Sequence, residues 1–180
     1  ALLGDADNGR WLIAPENPAA RVTRRYVDDT LILETLFETA SGTVALLDFM
    51  PPRGSASDVV RIVRGIEGRV SMRTELVIRF DYGAIVPWVT QSHGPITELQ
   101  AVAGPDRLTL RTPVAIRGID ARSVGEFDVA AGQSVPFVLT YCASHLRAPK
   151  PIDAQRAFRE TQKFWHEWSG RCRLSSQWRE

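Results

Sequence analysis

From residue 69 to residue 80 the side chains alternate between apolar and polar almost without a break. Val70, Met72, Thr74, Leu76, Ile78 and Phe80 fall on one side, Arg69, Ser71, Arg73, Glu75 and Arg79 on the other, and only Val77 breaks the order. Successive side chains of a strand leave opposite faces of a sheet, so this order gives one buried and one solvated face. Wound as a helix, the same residues would scatter charge around the whole circumference. The segment is therefore a strand, and a half-buried strand needs a sheet around it and a second layer to cover its apolar face.

Weaker forms of the signal recur between about residues 10 and 142. Leu31, Leu33 and Phe37 alternate with Glu34 and Glu38, and Ala40-Ser41-Gly42 predicts a hairpin turn into a strand over 43–50. Residues 58–67 predict a strand with Val59, Val60, Ile62 and Val63 as its apolar content, and Gly68 predicts a turn into the strand already described. After a Gly104-Pro105-Asp106 turn, Leu108, Leu110 and Thr112 alternate with Arg107, Thr109 and Arg111. Residues 122–129 and 135–141 read as a hairpin joined through Ala130-Ala131-Gly132-Gln133. About ten short strands at this spacing predict an all-β, antiparallel two-layer sandwich. The pattern changes at Pro149-Lys150-Pro151, which divides the chain into a sandwich over 1–148 and a linker helix over 149–180. Asp153 can cap that helix, whose inward positions are Ala157, Phe158, Thr161, Phe164, Trp165 and Trp168, with Gly170 as its stop.

The 180 residues suit one large domain, and a net charge of +1 argues against a nucleic-acid partner held by bulk electrostatics. Nearly all the basic residues are arginine; a GC-rich coding bias explains this better than a phosphate patch, because acids are interspersed throughout. No apolar run approaches the roughly 20 residues that a membrane-crossing helix needs. The opening Ala1-Leu2-Leu3-Gly4-Asp5 has no charged n-region or cleavage site, so a cytoplasmic location is the expectation, although the lack of an initiator Met leaves export open. Cys142 and Cys172 are too few for a disulfide framework and leave one bridge or, preferably, two reduced thiols.

No catalytic constellation is legible. There is no phosphate-binding glycine loop, His166-Glu167 lacks the second histidine of a zinc motif, and Gly132-Gln133-Ser134-Val135-Pro136 lacks the closing glycine of a nucleophile elbow. His93 and His145 each follow a serine directly, which places the pair on opposite faces of a strand, and Cys142 reads as structural rather than as a partner of His145. No metal site or cofactor is expected. Glu34, Glu38, Glu75 and Glu126 are predicted to face solvent. Asp48 shares an apolar face and needs a partner, for which Arg53 is the candidate, while Asp81 sits between Phe80 and Tyr82. Asp48, Arg53, Asp81, Tyr82 and Trp88 are thus candidate interface or sugar-contact residues, with Trp88 in a loop-like stretch suited to stacking on a sugar ring. Phe158, Trp165 and Trp168 are candidates for packing against another domain.

The order of several short motifs resembles the N-terminal domain of bacterial family 15 glycoside hydrolases, the trehalase-like and glucoamylase-like group. They are Asn8-Gly9-Arg10-Trp11 with Pro15, Asp48-Phe49-Met50-Pro51-Pro52-Arg53, Val60-Arg61-Ile62-Val63 with Gly65, and Arg79-Phe80-Asp81-Tyr82-Gly83 with Pro87-Trp88. Pro136-Phe137-Val138-Leu139-Thr140 and Phe164-Trp165 with Trp168-Ser169 and Cys172 complete the set. The resemblance implies a non-catalytic β-sandwich followed by a helical linker and an (α/α)6 barrel. That barrel would be the partner of this domain and would carry the glutamate pair for inverting hydrolysis of α-glucosidic bonds. The family's opening strands, with an Asp-Gly-Ser-Ile-Asp-Trp-like motif, are expected upstream of Ala1. No catalytic residue is carried over to this stretch, Glu180 included. The alternative is a carbohydrate-binding module with Trp88 as its platform, its ligand a glucoside or oligosaccharide.

Overall fold

A computed structural model describes residues 4–54, 56–92 and 94–171. Cys172, Trp178 and Glu180, and the Ser92-His93 pairing, involve positions outside those residues. The described residues form eleven strands and one long helix: β1 (Arg10–Pro15), β2 (Arg21–Tyr26), β3 (Leu33–Thr39), β4 (Gly42–Phe49), β5 (Ser57–Val77), β6 (Trp88–Ser92), β7 (Thr97–Ala103), β8 (Asp106–Thr112), β9 (Arg117–Ile119), β10 (Arg122–Ala130), β11 (Ser134–Ala143) and α1 (Ala154–Ser169). All pairings are antiparallel.

The 21-residue β5 organises everything. Its first half pairs with β4 and β11 inside a broad layer ordered β2-β3-β4-β5-β11-β8-β7-β6. Its second half pairs with β1 and β10, the latter extended by β9, in a smaller layer. One strand thus belongs to both layers. Opposite β4, Thr43 faces Glu67 while Val44 faces Gly65, so Ile66 is an extra residue and the site is a β-bulge. The bulge exchanges the two faces. Before it the odd-numbered Val63 enters the core between the layers, and after it the even-numbered Val70, Met72 and Leu76 do.

That core also takes Ile13 from β1, Val44 and Leu46 from β4, Leu99 and Ala101 from β7, Leu110 from β8, Val129 from β10 and Phe137 from β11. A second cluster lies on the outer side of the broad layer, where Leu47, Phe49, Val60, Ile62 and Val138 pack against Ala154, Ala157 and Phe158 of α1. Asp153 caps this helix by accepting from the Arg156 N–H at 2.7 Å, and Gly170 ends it in a right-handed conformation. The result is a small sheet, a large sheet and a helix, in that order.

Several expectations need correcting. Gly68 does not turn the chain back: its φ of +63° bends a single strand that runs on from one layer to the other, and this strand ends at Val77 rather than at Phe80. The connection through Ala131-Gly132-Gln133 is not a hairpin, because β10 and β11 never pair with each other; each flanks β5, in different layers. Leu31 is exposed rather than inward. The Ala40-Ser41 and Gly104-Pro105 turns do join paired strands, β3 with β4 and β7 with β8.

Candidate functional site

Asp48 lies on the face of β4 that enters the core, and the arginine that meets it is Arg61, not Arg53. Register sets Asp48 directly across from Arg61, whose Nε and Nη2 donate to the two carboxylate oxygens at 2.7 and 3.1 Å. Arg61 Nη1 donates to the Trp11 carbonyl at 2.9 Å, and the guanidinium lies over the Trp11 ring at 5.0 Å. With each nitrogen of the fork engaged inside the domain, the pair acts as a structural clamp. Arg53 is exposed in the loop after β4.

The same geometry recurs elsewhere. Arg21 with Glu38, Arg25 with Glu34, and Arg111 with Glu98 are direct cross-strand neighbours and ion pairs. Glu75 binds Arg10 and Arg122, and Glu126 binds Arg117. The interspersed arginines and acids are therefore largely a cross-strand ladder, a pattern visible only once register is known.

Asp81 and Tyr82 form a tight turn closed by paired bonds between Phe80 and Ile85, at 2.9 and 3.0 Å. Both take left-handed φ values, 48° and 55°, and Gly83 follows at 102° with Asn8 so near that a side chain there would press on it. Tyr82 is fully exposed and Trp88 is 78% exposed. Trp88 is not in a loop: it begins β6, the edge strand of the broad layer, opposite Val102 of β7. Ile85, Val86 and Val89 are exposed beside it in sequence, so residues 82–89 present an apolar, aromatic surface. The five candidates do not converge, since Asp48 is interior, Arg53 lies in a separate loop and only Asp81, Tyr82 and Trp88 share a region.

The aromatics of α1 divide in two. Phe158, expected at a domain interface, is instead 8% exposed within this domain, edge-on to Phe49 at 5.8 Å and under the Arg64 guanidinium at 4.3 Å. Burial there lowers the Arg64 pKa, only partly offset by the charge of Glu34. One turn later Thr161 is still buried, and the aromatics that follow it are more open. Phe164, Trp165 and Trp168 stack edge-to-face in series at 5.1 and 5.8 Å, with Phe164 42% and Trp168 59% exposed. With Leu31, Thr30 and Asp29 of the β2–β3 connection they line a groove of about 540 Å³, and His166 Nε2 pins the helix to the Asp28 carbonyl at 3.0 Å.

A polar cleft of about 650 Å³ lies where Asp7, Glu75, Arg79, Asp120 and Arg122 meet. Asp7 and Glu75 are held there by Arg122. Glycoside cleavage needs one carboxyl kept protonated by an apolar setting and a second free to act on water or sugar. Asp7 and Glu75, each paired with Arg122, do not supply that. Among the described residues no group of three or more His, Cys, Asp or Glu could hold a metal ion, and no helix is long and apolar enough to cross a membrane. Cys142 is half-buried, its sulfur accepting from Arg107 Nε and Nη2 at 3.2 and 3.0 Å.

A two-layer antiparallel sandwich with a helix docked on its outer face defines a β-sandwich domain. The family model described as "Trehalase-like, N-terminal" matches residues 1–165, and the chain belongs to that family. No curated protein matches the chain.

Proposed function

We propose that this chain is the scaffolding N-terminal domain of a trehalase-like, family 15 glycoside hydrolase acting on α-glucosidic bonds in the cytoplasm. It docks on a following helical catalytic barrel through the aromatic end of α1. The observation that carries this reading is the exposure of Phe164 and Trp168, with the half-buried Trp165 between them, on a helix whose earlier inward residues Ala154, Ala157, Phe158 and Thr161 are buried. Aromatics bury about 150–250 Å² each, so a contiguous group left bare is costly unless another surface covers it. The family match ends at residue 165, within this same aromatic group, and the family's description places this fold at an N-terminus. The surface at 82–89 offers a second contact of similar character. Trp88 has the exposure that sugar stacking requires, but its exposed neighbours in sequence are apolar, which favours contact with protein over contact with hydroxyls.

The test uses the full-length enzyme and the 180-residue chain side by side. Trp165→Ala with Trp168→Ala is expected to lower the Tm of the full-length protein by several degrees and to reduce its activity, while leaving the Tm of the shorter chain within about a degree. An equal loss in both proteins, or none in the full-length one, would sink the docking role.

A further inference from the structure

Of the residues that line the aromatic groove beside the C-terminal end of α1, only Asp29 is charged. It is exposed, and among the described residues no basic side chain pairs with it. The backbone holds it in place. The Thr30 N–H donates to the Val27 carbonyl at 2.9 Å and closes a turn in which Asp29 takes a φ of +54°, and His166 pins the same turn to α1. Glycine is the usual residue at such a position, because a Cβ is strained there. An aspartate costs the turn conformational energy and supplies the groove with a carboxylate.

The rest of the groove attracts positive charge as well. The faces of Phe164, Trp165 and Trp168 carry the negative side of the ring quadrupole. Ser169, the last residue of α1, is part of the lining, so the negative end of the helix dipole lies there too. Inside the domain a guanidinium covers a ring twice, Arg61 over Trp11 at 5.0 Å and Arg64 over Phe158 at 4.3 Å. Among the described residues no cation lies over the three rings of the groove. Two basic residues on its flanking elements are engaged elsewhere: Lys163 faces Glu167 at 3.7 Å, and Arg25 holds Glu34 at 2.7 Å.

We propose that this groove receives a basic side chain, guanidinium or ammonium, from the domain that docks on α1, stacked on the indole rings and paired with Asp29. The inference rests on the docking reading and adds to it the chemistry of the partner surface. An apolar knob would desolvate Asp29 and the helix end without compensation, and an acidic one would add repulsion. A cation stacks and pairs at once.

Thermal unfolding of the full-length enzyme and of the 180-residue chain tests this, each as wild type, Asp29→Gly, Asp29→Lys and the Trp165→Ala, Trp168→Ala double variant. Asp29→Gly relieves the left-handed strain, so the Tm of the shorter chain should hold or rise, whereas that of the full-length protein should fall by about 2 °C or more. Asp29→Lys should lower the full-length Tm further by setting like charges together, and about 0.5 M NaCl should narrow its gap from wild type. If Asp29→Gly leaves the full-length protein unchanged while the double tryptophan variant destabilises it, docking stands and the basic partner falls. If neither change destabilises it, both readings fall. An equal loss in the two proteins with Asp29→Gly would mean that the carboxylate serves the fold of this domain alone, and would also overturn the proposal.

Discussion

The arginine–carboxylate pairs carry specificity more than bulk stability. Exposed pairs such as Arg21–Glu38 contribute little, because solvent screens them and two long side chains must be ordered. Asp48–Arg61 differs, since only 24% and 14% of its side chains are exposed and it lies on the inward face of two central strands. Asp48→Ala is expected to cost about 2–3 kcal/mol, less than for a wholly buried pair, because the orphaned guanidinium keeps some access to water. Replacing both residues, as Asp48→Leu with Arg61→Met, should cost less than the single change; urea midpoints of the three proteins check this. Glu98 gives a pH signature. Burial pushes its carboxyl pKa up, but hydrogen bonds from Gln100 and Arg111 and the charges of Arg111 and Arg107 outweigh burial and leave it lowered. A lowered folded-state pKa gives stability that is present above the unfolded value, about 4.3, and is lost as pH falls through the folded one. Urea midpoints should therefore fall below about pH 4, and Glu98→Gln should flatten part of that fall while lowering the plateau above it.

Among the elements, β5 shows where reading by pattern stops. Alternation after Gly68 is plain in the chain and apolar content marks the stretch before Gly65, so both halves are legible as strands, with the correct buried face after residue 69. That the halves are one strand was not, because a glycine that bends a strand and a glycine that reverses it look alike in sequence. What distinguishes them is contact. A Cβ at Gly65 would fall within the Ala130 carbonyl oxygen, under the crossing of β10 into β11, and a Cβ at Gly68 would fall on the Ser41 carbonyl. Gly65→Ala therefore forces two backbones apart and should cost roughly 3–4 kcal/mol, near the upper end for point changes. Gly132→Ala meets nothing within 4 Å and suffers only from its φ of +79°, so it should cost about 1 kcal/mol. Thermal unfolding of the two variants separates crowding from conformational strain. The wholly exposed edge strand β2 illustrates a different limit: with no buried face it has no alternation to read.

For the whole molecule, the sequence by itself determined the class of fold, the handover from strands to a helix near Pro149, the cap at Asp153 and the surplus of aromatics along that helix. These follow from local rules, the period of the side chains and the chemistry of chain ends, which act within a few residues. Tertiary structure alone decided that Asp48 meets Arg61, that Phe158 turns inward while Trp168 remains bare, and that Arg111 meets Glu98. Each of these depends on which strand lies next to which and in what register. Those choices are made by burial and backbone pairing between residues 13 to 91 positions apart, as in Asp48–Arg61 and Arg64–Gln155. No short window of sequence encodes them.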